Sequence, residues 1–389
     1  MSADTLRHAA ERIARLCAEP HDLVSLWQGS TEVLARAVPH HWTPCFYTLD
    51  PASLLMTSHF HHGLDEFPGE WLAGEYYGDD VHRLADVMCT KSGISTLYEV
   101  TGGDPESSPR WHRNMTMGGD QELIARLRTR SGEIWGALAL YRAPHAPLFS
   151  AAEKHFVQSV APLLAEGARA ALLLGQAREP EFTDSPGLLV LDHNWAVEST
   201  TPGVGQWLSE LPDGDWDAGR LPSSVLTLAG RTLRTAADPQ RGDTTVVRVR
   251  SRTGTWVVLH GACLSSSGNP RIAIIIEPAH PGRLYPLLMS AYGLTEREKD
   301  ITRLVLQGAS TAGMAAELSL SAHTVQQHLK SVFAKTGVHS RRDLVAKVFF
   351  THYEPRLRDN EHRARLDKPL RGEPWLPNSS APDDCGNSS

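Results

Sequence analysis

Hydrophobic positions follow helical spacing near both ends of the chain and form strand-like runs between them. Between residues 3 and 38, apolar residues recur every three or four positions, which predicts two amphipathic helices interrupted at Pro20. Residues 45–49 and 54–60 have the composition of a strand pair, and residues 133–141 form an apolar run after a Ser-Gly turn. This first region is therefore predicted to mix helices and strands.

A long helix and a short linker are predicted to close this region. Ser150 and Glu153 have the spacing of a capping box, which predicts a helix from there to about Gln176, with a kink at Pro162. The charged, proline-containing segment 178–181 is predicted to be the linker.

The segment after this linker has the element order of a second mixed unit. The predicted strands and short helices lie at 188–192, 206–211, 223–235, 244–250, 255–264 and 271–277. One strand, then helices, then three antiparallel strands joined by short turns is the order expected of an α+β sensor domain.

From residue 286 to residue 350 the hydrophobic pattern is purely helical. Thr295 and Glu298 form a second capping box, and the helix that they begin is predicted to end at Gly308. A short helix, a tight turn and a third helix that starts at Ser321 then predict a helix-turn-helix, followed by a fourth helix. Beyond residue 353 the composition predicts a largely disordered tail.

The third of these helices has two chemically different faces. Val325, Leu329 and Val332 lie on one stripe, and the opposite stripe carries His323, Gln326, Gln327 and Lys330. No carboxylate occurs from residue 322 to residue 338, so the polar stripe fits the major groove of DNA and its phosphates. A solvated helix in a small all-α domain is the alternative that the pattern leaves open.

Charge is distributed unevenly along the 389 residues. The net charge is −7, yet residues 290–352 carry eight Lys or Arg against five acids, which leaves −10 for the remainder. A short basic segment on an acidic body indicates local contact with a polyanion. We expect no membrane span and no signal peptide, and five widely spaced cysteines favour reduced thiols in the cytoplasm.

The sequence contains few features typical of catalytic or metal-binding sites. His59 and His61 would share a strand face while His62 points away, so a metal site is not expected. The patterns of hydrolases, zinc proteases and P-loops do not occur, and no cofactor is predicted. We therefore do not expect an enzyme. Aromatic residues cluster in the first region and indicate either a ligand cavity or an ordinary core: Phe46, Tyr47, Phe60, Trp71, Tyr76, Tyr77 and Trp135.

Residues 294–346 resemble the LuxR-type helix-turn-helix. The resemblance is carried by fixed spacing of Leu-Thr-Glu-Arg-Glu at 294–298, Gly-Ala-Ser at 308–310, Thr-Val at 324–325, His-Leu-Lys at 328–330 and Lys-Thr-Gly-Val at 335–338. It implies a four-helix all-α domain whose fourth helix contributes to a dimer. The residues expected to contact DNA are Ser310, Thr311, His323, Thr324, Gln326, Gln327, His328, Lys330 and Lys335.

This sequence departs from the family pattern at two places. Gln326 stands where Lys or Arg is frequent, and Ala312-Gly313 replaces a Lys-Glu pair in the scaffold helix. Fewer cations imply weaker nonspecific binding, while glutamine can still read adenine.

The preceding regions resemble sensor domains. Residues 1–177 are similar to GAF-like regions of actinobacterial regulators, and the resemblance is carried by Trp71, Tyr76-Tyr77, Asp79-Asp80, Thr-Gly-Gly-Asp at 101–104, Trp135-Gly136 and Phe149-Ser150. Residues 182–279 are similar to a PAS domain, ahead of a DNA-binding domain at 286–352 and a tail at 353–389. The resemblance implies a homodimeric transcription regulator that binds double-stranded DNA, with a small-molecule effector and RNA polymerase as further candidate partners. The alternative is a ligand-binding or enzymatic sensor module whose helical domain serves protein association.

Overall fold

The computed structural model of the chain describes residues 3–61, 67–174, 186–237, 244–264, 269–279, 289 and 292–352. The predicted linker at 178–181 and the predicted disordered tail lie outside these residues. None of the helices within these ranges is long and apolar enough to cross a membrane. Within the same ranges, no three His, Cys, Asp or Glu side chains are grouped to hold a metal ion.

The first sheet unit, residues 3–174, is built on five antiparallel strands. In chain order these are β1 (Cys45–Leu49), β2 (Met56–Phe60), β3 (Ile94–Thr96), β4 (Gln121–Arg128) and β5 (Ile134–Arg142). They lie in the order β2-β1-β5-β4-β3, so the first and last strands are central neighbours. The predicted strands at 45–49, 54–60 and 133–141 are confirmed within one or two residues.

Helices cover both faces of this sheet. One face packs against α1 (Ala3–Ala18), α2 (Leu23–Ala37) and α7 (Ala151–Leu174). The other face packs against α3 (Gly69–Tyr77) and α4 (Leu84–Cys89). Between β3 and β4 the chain forms α5 (Leu97–Val100), a short 3₁₀ turn at Pro105–Ser107 and α6 (Pro109–Met115). The Ser150–Glu153 capping box is confirmed, since the Ser150 amide donates to Glu153 Oε2 at 2.8 Å and the Glu153 amide donates to Ser150 Oγ at 3.3 Å.

The second sheet unit, residues 186–279, repeats the same strand order. Its elements are β6 (Gly187–Leu191), β7 (Val197–Thr200), α8 (Val204–Ser209), α9 (Ser223–Ala236), β8 (Thr244–Arg250), β9 (Trp256–Leu264) and β10 (Arg271–Pro278). The sheet runs β7-β6-β10-β9-β8, again with the first and last strands in the middle. The prediction of one strand, helices and three further strands is confirmed, and β7 adds an edge strand.

The two sheet units share one apolar core, which is closed where α9 lies against α3. The helices approach so closely that a Cβ at Gly230 would lie 2.4 Å from the Ala73 carbonyl oxygen. Polar contacts reinforce this boundary: Arg248 Nη1 lies 3.0 Å from the buried Asp50 carboxylate, and Thr227 Oγ1 donates to the Met56 carbonyl at 3.0 Å. A shift of side chains in one sheet unit therefore alters the packing of the other.

The helical unit, residues 292–352, consists of α10 (Glu296–Leu306), α11 (Thr311–Glu317), α12 (Ala322–Thr336) and α13 (Arg341–His352). Its core includes Leu294, Ile301 and Leu329 and is continuous with Trp135 and Val258 of the two sheets. Lys299 Nζ lies 3.5 Å from Glu133 Oε1 at this boundary. The helical unit therefore packs directly on the sheet units.

Candidate DNA interface

Two serine caps define the turn between α11 and α12. Ser310 accepts a hydrogen bond from the Gly313 amide at 3.1 Å and so begins α11, while Ser321 accepts from the Thr324 amide at 3.0 Å and begins α12. Between the helices Ser319 adopts a left-handed backbone with φ of 55°, which allows the chain to reverse sharply. The predicted helix, turn and helix are confirmed.

Helix α12 presents the two faces that its spacing predicts. Val325, Leu329 and Val332 are buried against α10 and α11. The side chains at the surface are His323, Gln326, Gln327 and Lys330. Thr324 and His328, predicted to lie near phosphates, are partly buried at the edges of this face. The structure thus brings the central predicted residues together on one side of one helix.

Lys330 supplies the free positive charge of this face, since it forms no ion pair with any residue that the structure describes. Gln327 Nε2 and His323 Nε2 lie 3.2 Å apart, one helical turn from each other. Gln326 Nε2 lies 3.5 Å from Thr311 Oγ1, at the edge of α11. The face therefore offers amide and ammonium donors, which suit base edges and phosphate oxygens.

Lys335, also predicted to contact DNA, has a different partner in this structure. Its Nζ donates to Glu298 Oε2 at 2.6 Å, and Ser331 Oγ donates to Glu298 Oε1 at 2.6 Å. The same carboxylate accepts from the Thr295 amide at 2.7 Å, which completes the predicted capping box. Glu298 thus adds polar contacts between α10 and α12 to their apolar packing, and we name Thr295, Glu298, Ser331 and Lys335 the α10–α12 lock.

Electrostatics keep the carboxylate of this lock ionised. Burial raises the pKa of Glu298, but hydrogen bonds from Lys335, Ser331 and the Thr295 amide outweigh that effect, so its pKa lies below the usual value. An ionised Glu298 accepts all three hydrogen bonds at once. The sequence revealed the capping box, but Ser331 and Lys335 lie 33 and 37 residues further on, beyond the reach of local spacing.

Thr311, another predicted DNA contact, helps to attach α13. Arg341 Nη2 donates to Thr311 Oγ1 at 2.6 Å, and Arg341 Nη1 donates to the Ala309 carbonyl at 3.3 Å. A shallow groove lies beside this contact between α10 and α13. Its apolar part includes Val305 and Val345, and Val345 is 39% exposed.

A second concave site lies in the first sheet unit, and we name it the sheet pocket. Of the aromatic residues predicted to line a cavity, Tyr47 and Trp71 do so. Phe46 instead stacks on Trp27 on the opposite face of the sheet, and Trp135 is buried beside the helical unit. The other aromatic residues of the lining were not predicted from the sequence: Trp42, Phe67 and Tyr141.

Comparison with known proteins connects the helical unit to a regulatory family. A family model described as bacterial regulatory proteins of the luxR family matches residues 293–348. Over 56 residues the chain is 41% identical to the monoamine regulon transcriptional regulator of Klebsiella aerogenes, covering 14% of this chain and 25% of that protein. Over 55 residues it is 34% identical to the spore germination protein GerE of Bacillus subtilis, covering 14% of this chain and 74% of that protein.

Similarity extends beyond the helical unit in mycobacterial relatives. A mycobacterial protein named as an HTH-type transcriptional regulator is 31% identical over 260 residues, which cover 67% of this chain and 24% of that protein. The chain therefore spans about a quarter of the length of the Klebsiella and mycobacterial relatives. A solved structure of the Vibrio cholerae VqmA dimer covers 43% of this chain and 82% of its own, at 16% identity and a TM-score of 0.21. That score does not indicate a shared arrangement of domains.

Proposed function

We propose, on the premise that this chain belongs to the LuxR family of bacterial regulatory proteins, that it reads a specific operator as a homodimer and that its two sheet units control this reading. The observation that carries the proposal is the exposed face of α12, which is polar, free of carboxylates and fixed by the α10–α12 lock. A helix held in one orientation presents the same hydrogen-bond donors to the major groove each time the protein binds DNA.

The residues in and around this face are proposed to have different roles. Gln326 and Gln327 carry amides that can pair with adenine N6 and N7, so they are proposed to read bases. Lys330 is proposed to contact guanine or phosphate. Four further residues at the rim are proposed to contact phosphates: Ser310, Thr311, Thr324 and His328. His323 is proposed to orient Gln327, and Lys335 to act mainly through Glu298.

Dimerisation is proposed because one helical unit offers few cations. A single copy of residues 290–352 carries only +3, and a second copy doubles the phosphate contacts. The exposed Val345 beside the groove on α13 supports this helix as part of the dimer contact. Two such units would read half-sites about one helical turn, ~34 Å, apart.

The sheet units are proposed to act as sensors because their packing connects them to the DNA-reading unit. Helix α3 contributes Trp71 and Glu75 to the sheet pocket, and the same helix contacts α9 at Gly230. Helix α9 packs on β8 and β9, and Val258 of β9 joins the core of the helical unit. A ligand that changed the position of α3 could therefore alter how α12 is presented.

A mobility-shift assay tests this proposal against protein association as the role of the helical unit. A pool of randomised DNA duplexes is incubated with the full chain and with a chain that ends at residue 289. We expect a retarded complex with the full chain alone. Equal retardation by both chains would contradict the assignment of DNA binding to α10–α13.

A further inference from the structure

A second groove lies at the outer edge of the first sheet, and we name it the arginine groove. It runs between the turn before β3, the end of β4 with the turn that follows, and the middle of α7, and it has a volume of about 320 Å³. Ser92 and Gly93 line one side, and Ala161 and Pro162 of α7 line the other. The charged residues of its lining are Arg126, Arg128 and Arg130. A concave space of this size can hold a small ligand.

The guanidinium groups of these three arginines form no ion pair with any carboxylate that the structure describes. Arg128 donates from Nε to the Gly132 carbonyl at 2.9 Å, and its two terminal nitrogens have no partner among the described residues. The backbone amide of Arg130 donates to Glu166 Oε1 at 3.4 Å, but the charge of Glu166 is balanced by Arg169 at 2.5 Å. Three neighbouring cations on a chain of net charge −7 therefore form a local site of attraction for anions.

Arg126 is held in place while one edge of its guanidinium stays open. Its Nη1 donates to the Met88 carbonyl at 2.7 Å and to the Thr90 carbonyl at 3.0 Å. The group lies against Gly93, where a Cβ would be 2.9 Å from Nη2 and 3.0 Å from Nε, so a larger residue would displace it. Nε and Nη2 have no hydrogen-bond partner in the described part of the chain, and both remain in contact with solvent. These two nitrogens form the edge that binds an oxyanion through two parallel hydrogen bonds.

Repulsion between the arginines determines which anion suits the groove. Burial lowers the pKa of Arg126, and the positive charge of Arg128 lowers it further. A ligand that carries two or more negative charges relieves this repulsion, whereas a single carboxylate leaves part of it in place. Phosphate groups combine several charges with several acceptor oxygens, which matches three adjacent guanidinium groups.

We infer that the arginine groove binds a small phosphorylated compound, whose phosphate oxygens accept hydrogen bonds from Arg126, Arg128 and Arg130. The groove is concave and bounded by α7, which favours a small molecule over the long backbone of DNA. The turn beside it reaches the helical unit, because Glu133 accepts from Thr129 Oγ1 at 2.9 Å and lies 3.5 Å from Lys299. Binding itself is a property of the first sheet unit, and only an effect of the ligand on the operator complex rests on the proposed function.

Three anions separate the chemistry of the ligand. Pyrophosphate carries two phosphate groups, inorganic phosphate carries one, and citrate carries a comparable charge on carboxylates. Dissociation constants are measured by isothermal titration calorimetry on the full chain without DNA, at one ionic strength. We expect pyrophosphate to bind tightest. Tighter binding of citrate would overturn the assignment to phosphate, and the absence of binding by all three anions would overturn the site.

Substitutions of the two exposed arginines test the contacts themselves. Arg128→Gln and Arg130→Gln should each weaken pyrophosphate binding about fivefold or more. Arg7→Gln on α1 is the matched control, because that side chain is 65% exposed, pairs with Asp4 and lies outside the groove. Circular dichroism and the melting temperature establish that the variants fold. Unchanged pyrophosphate affinity in both groove variants would refute the proposal, and so would an equal loss in the control. Loss of affinity for random-sequence DNA with pyrophosphate binding intact would instead assign the groove to the DNA interface.

Discussion

Replacing Glu298 with glutamine tests whether the α10–α12 lock holds the DNA-reading helix in position. The Glu298 side chain is 5% exposed and accepts from the Thr295 amide, Ser331 and Lys335. Glutamine is nearly isosteric but uncharged, and its amide group turns one acceptor into a donor. The buried amide group then faces a donor, and at least one of the three partly buried hydrogen bonds is lost, which costs about 1 to 3 kcal/mol.

Amide hydrogen exchange of the full chain, measured by mass spectrometry, shows in which helices this loss of stability occurs. A cost of that size should speed amide exchange in α10 and α12 about 5- to 150-fold. Glu296→Gln on the same helix is the matched control, because the Glu296 side chain is 88% exposed and should change exchange little. Equal protection in wild type and Glu298→Gln would show that Glu298 does not hold α12.

The lock also has a defined pH dependence. The pKa of Glu298 is lowered in the folded chain, so its stabilisation is fully present above the unfolded value, near 4.5, and is lost as the pH falls through the folded pKa. The difference in exchange between wild type and Glu298→Gln should therefore shrink as the pH is lowered below that range. A difference that persists in acid would mean that shape, and not charge, accounts for it.

Three further predictions concern the operator and its control. Lys330→Ala should weaken specific binding by about 1 to 3 kcal/mol and reduce the salt dependence, whereas Gln326→Ala should relax base preference and leave the salt slope unchanged, as fluorescence anisotropy at several salt concentrations would show. Insertion of about half a helical turn between half-sites should abolish tight binding, and retained affinity in a mobility shift would indicate monomeric recognition. Gly230→Ala should separate α9 from Ala73 and change operator affinity, although residue 230 is outside the proposed DNA interface. The same affinity in a folded variant would contradict the proposed connection between the sheet units and α12.

Local spacing was sufficient to predict the helix-turn-helix and the orientation of α12. Val325, Leu329 and Val332 repeat every three or four residues, and this period alone decides which side chains face inward. The two capping boxes were equally local, because a serine or threonine and a glutamate three residues apart satisfy each other. Most strands were also predicted from apolar runs bounded by turn residues.

Contacts between distant segments were not predictable in this way. The contact between the Lys335 amine and Glu298 joins two helices and has no local signature in the sequence. The hydrogen-bonded cluster of Arg110, Glu75, Glu122 and Tyr141 combines side chains from α3, α6, β4 and β5, which no sequence period relates.

Selection of DNA sites from a random pool tests most directly whether the exposed face of α12 reads the DNA sequence. A randomised duplex pool is enriched for several rounds with the full chain and, in parallel, with a variant carrying Gln326→Ala, Gln327→Ala and Lys330→Ala. The wild type should enrich a two-fold symmetric motif with half-sites about one helical turn apart, and the variant should lose that motif while it remains folded. Enrichment of the same motif by both proteins would contradict the claim that the exposed face of α12 reads the sequence.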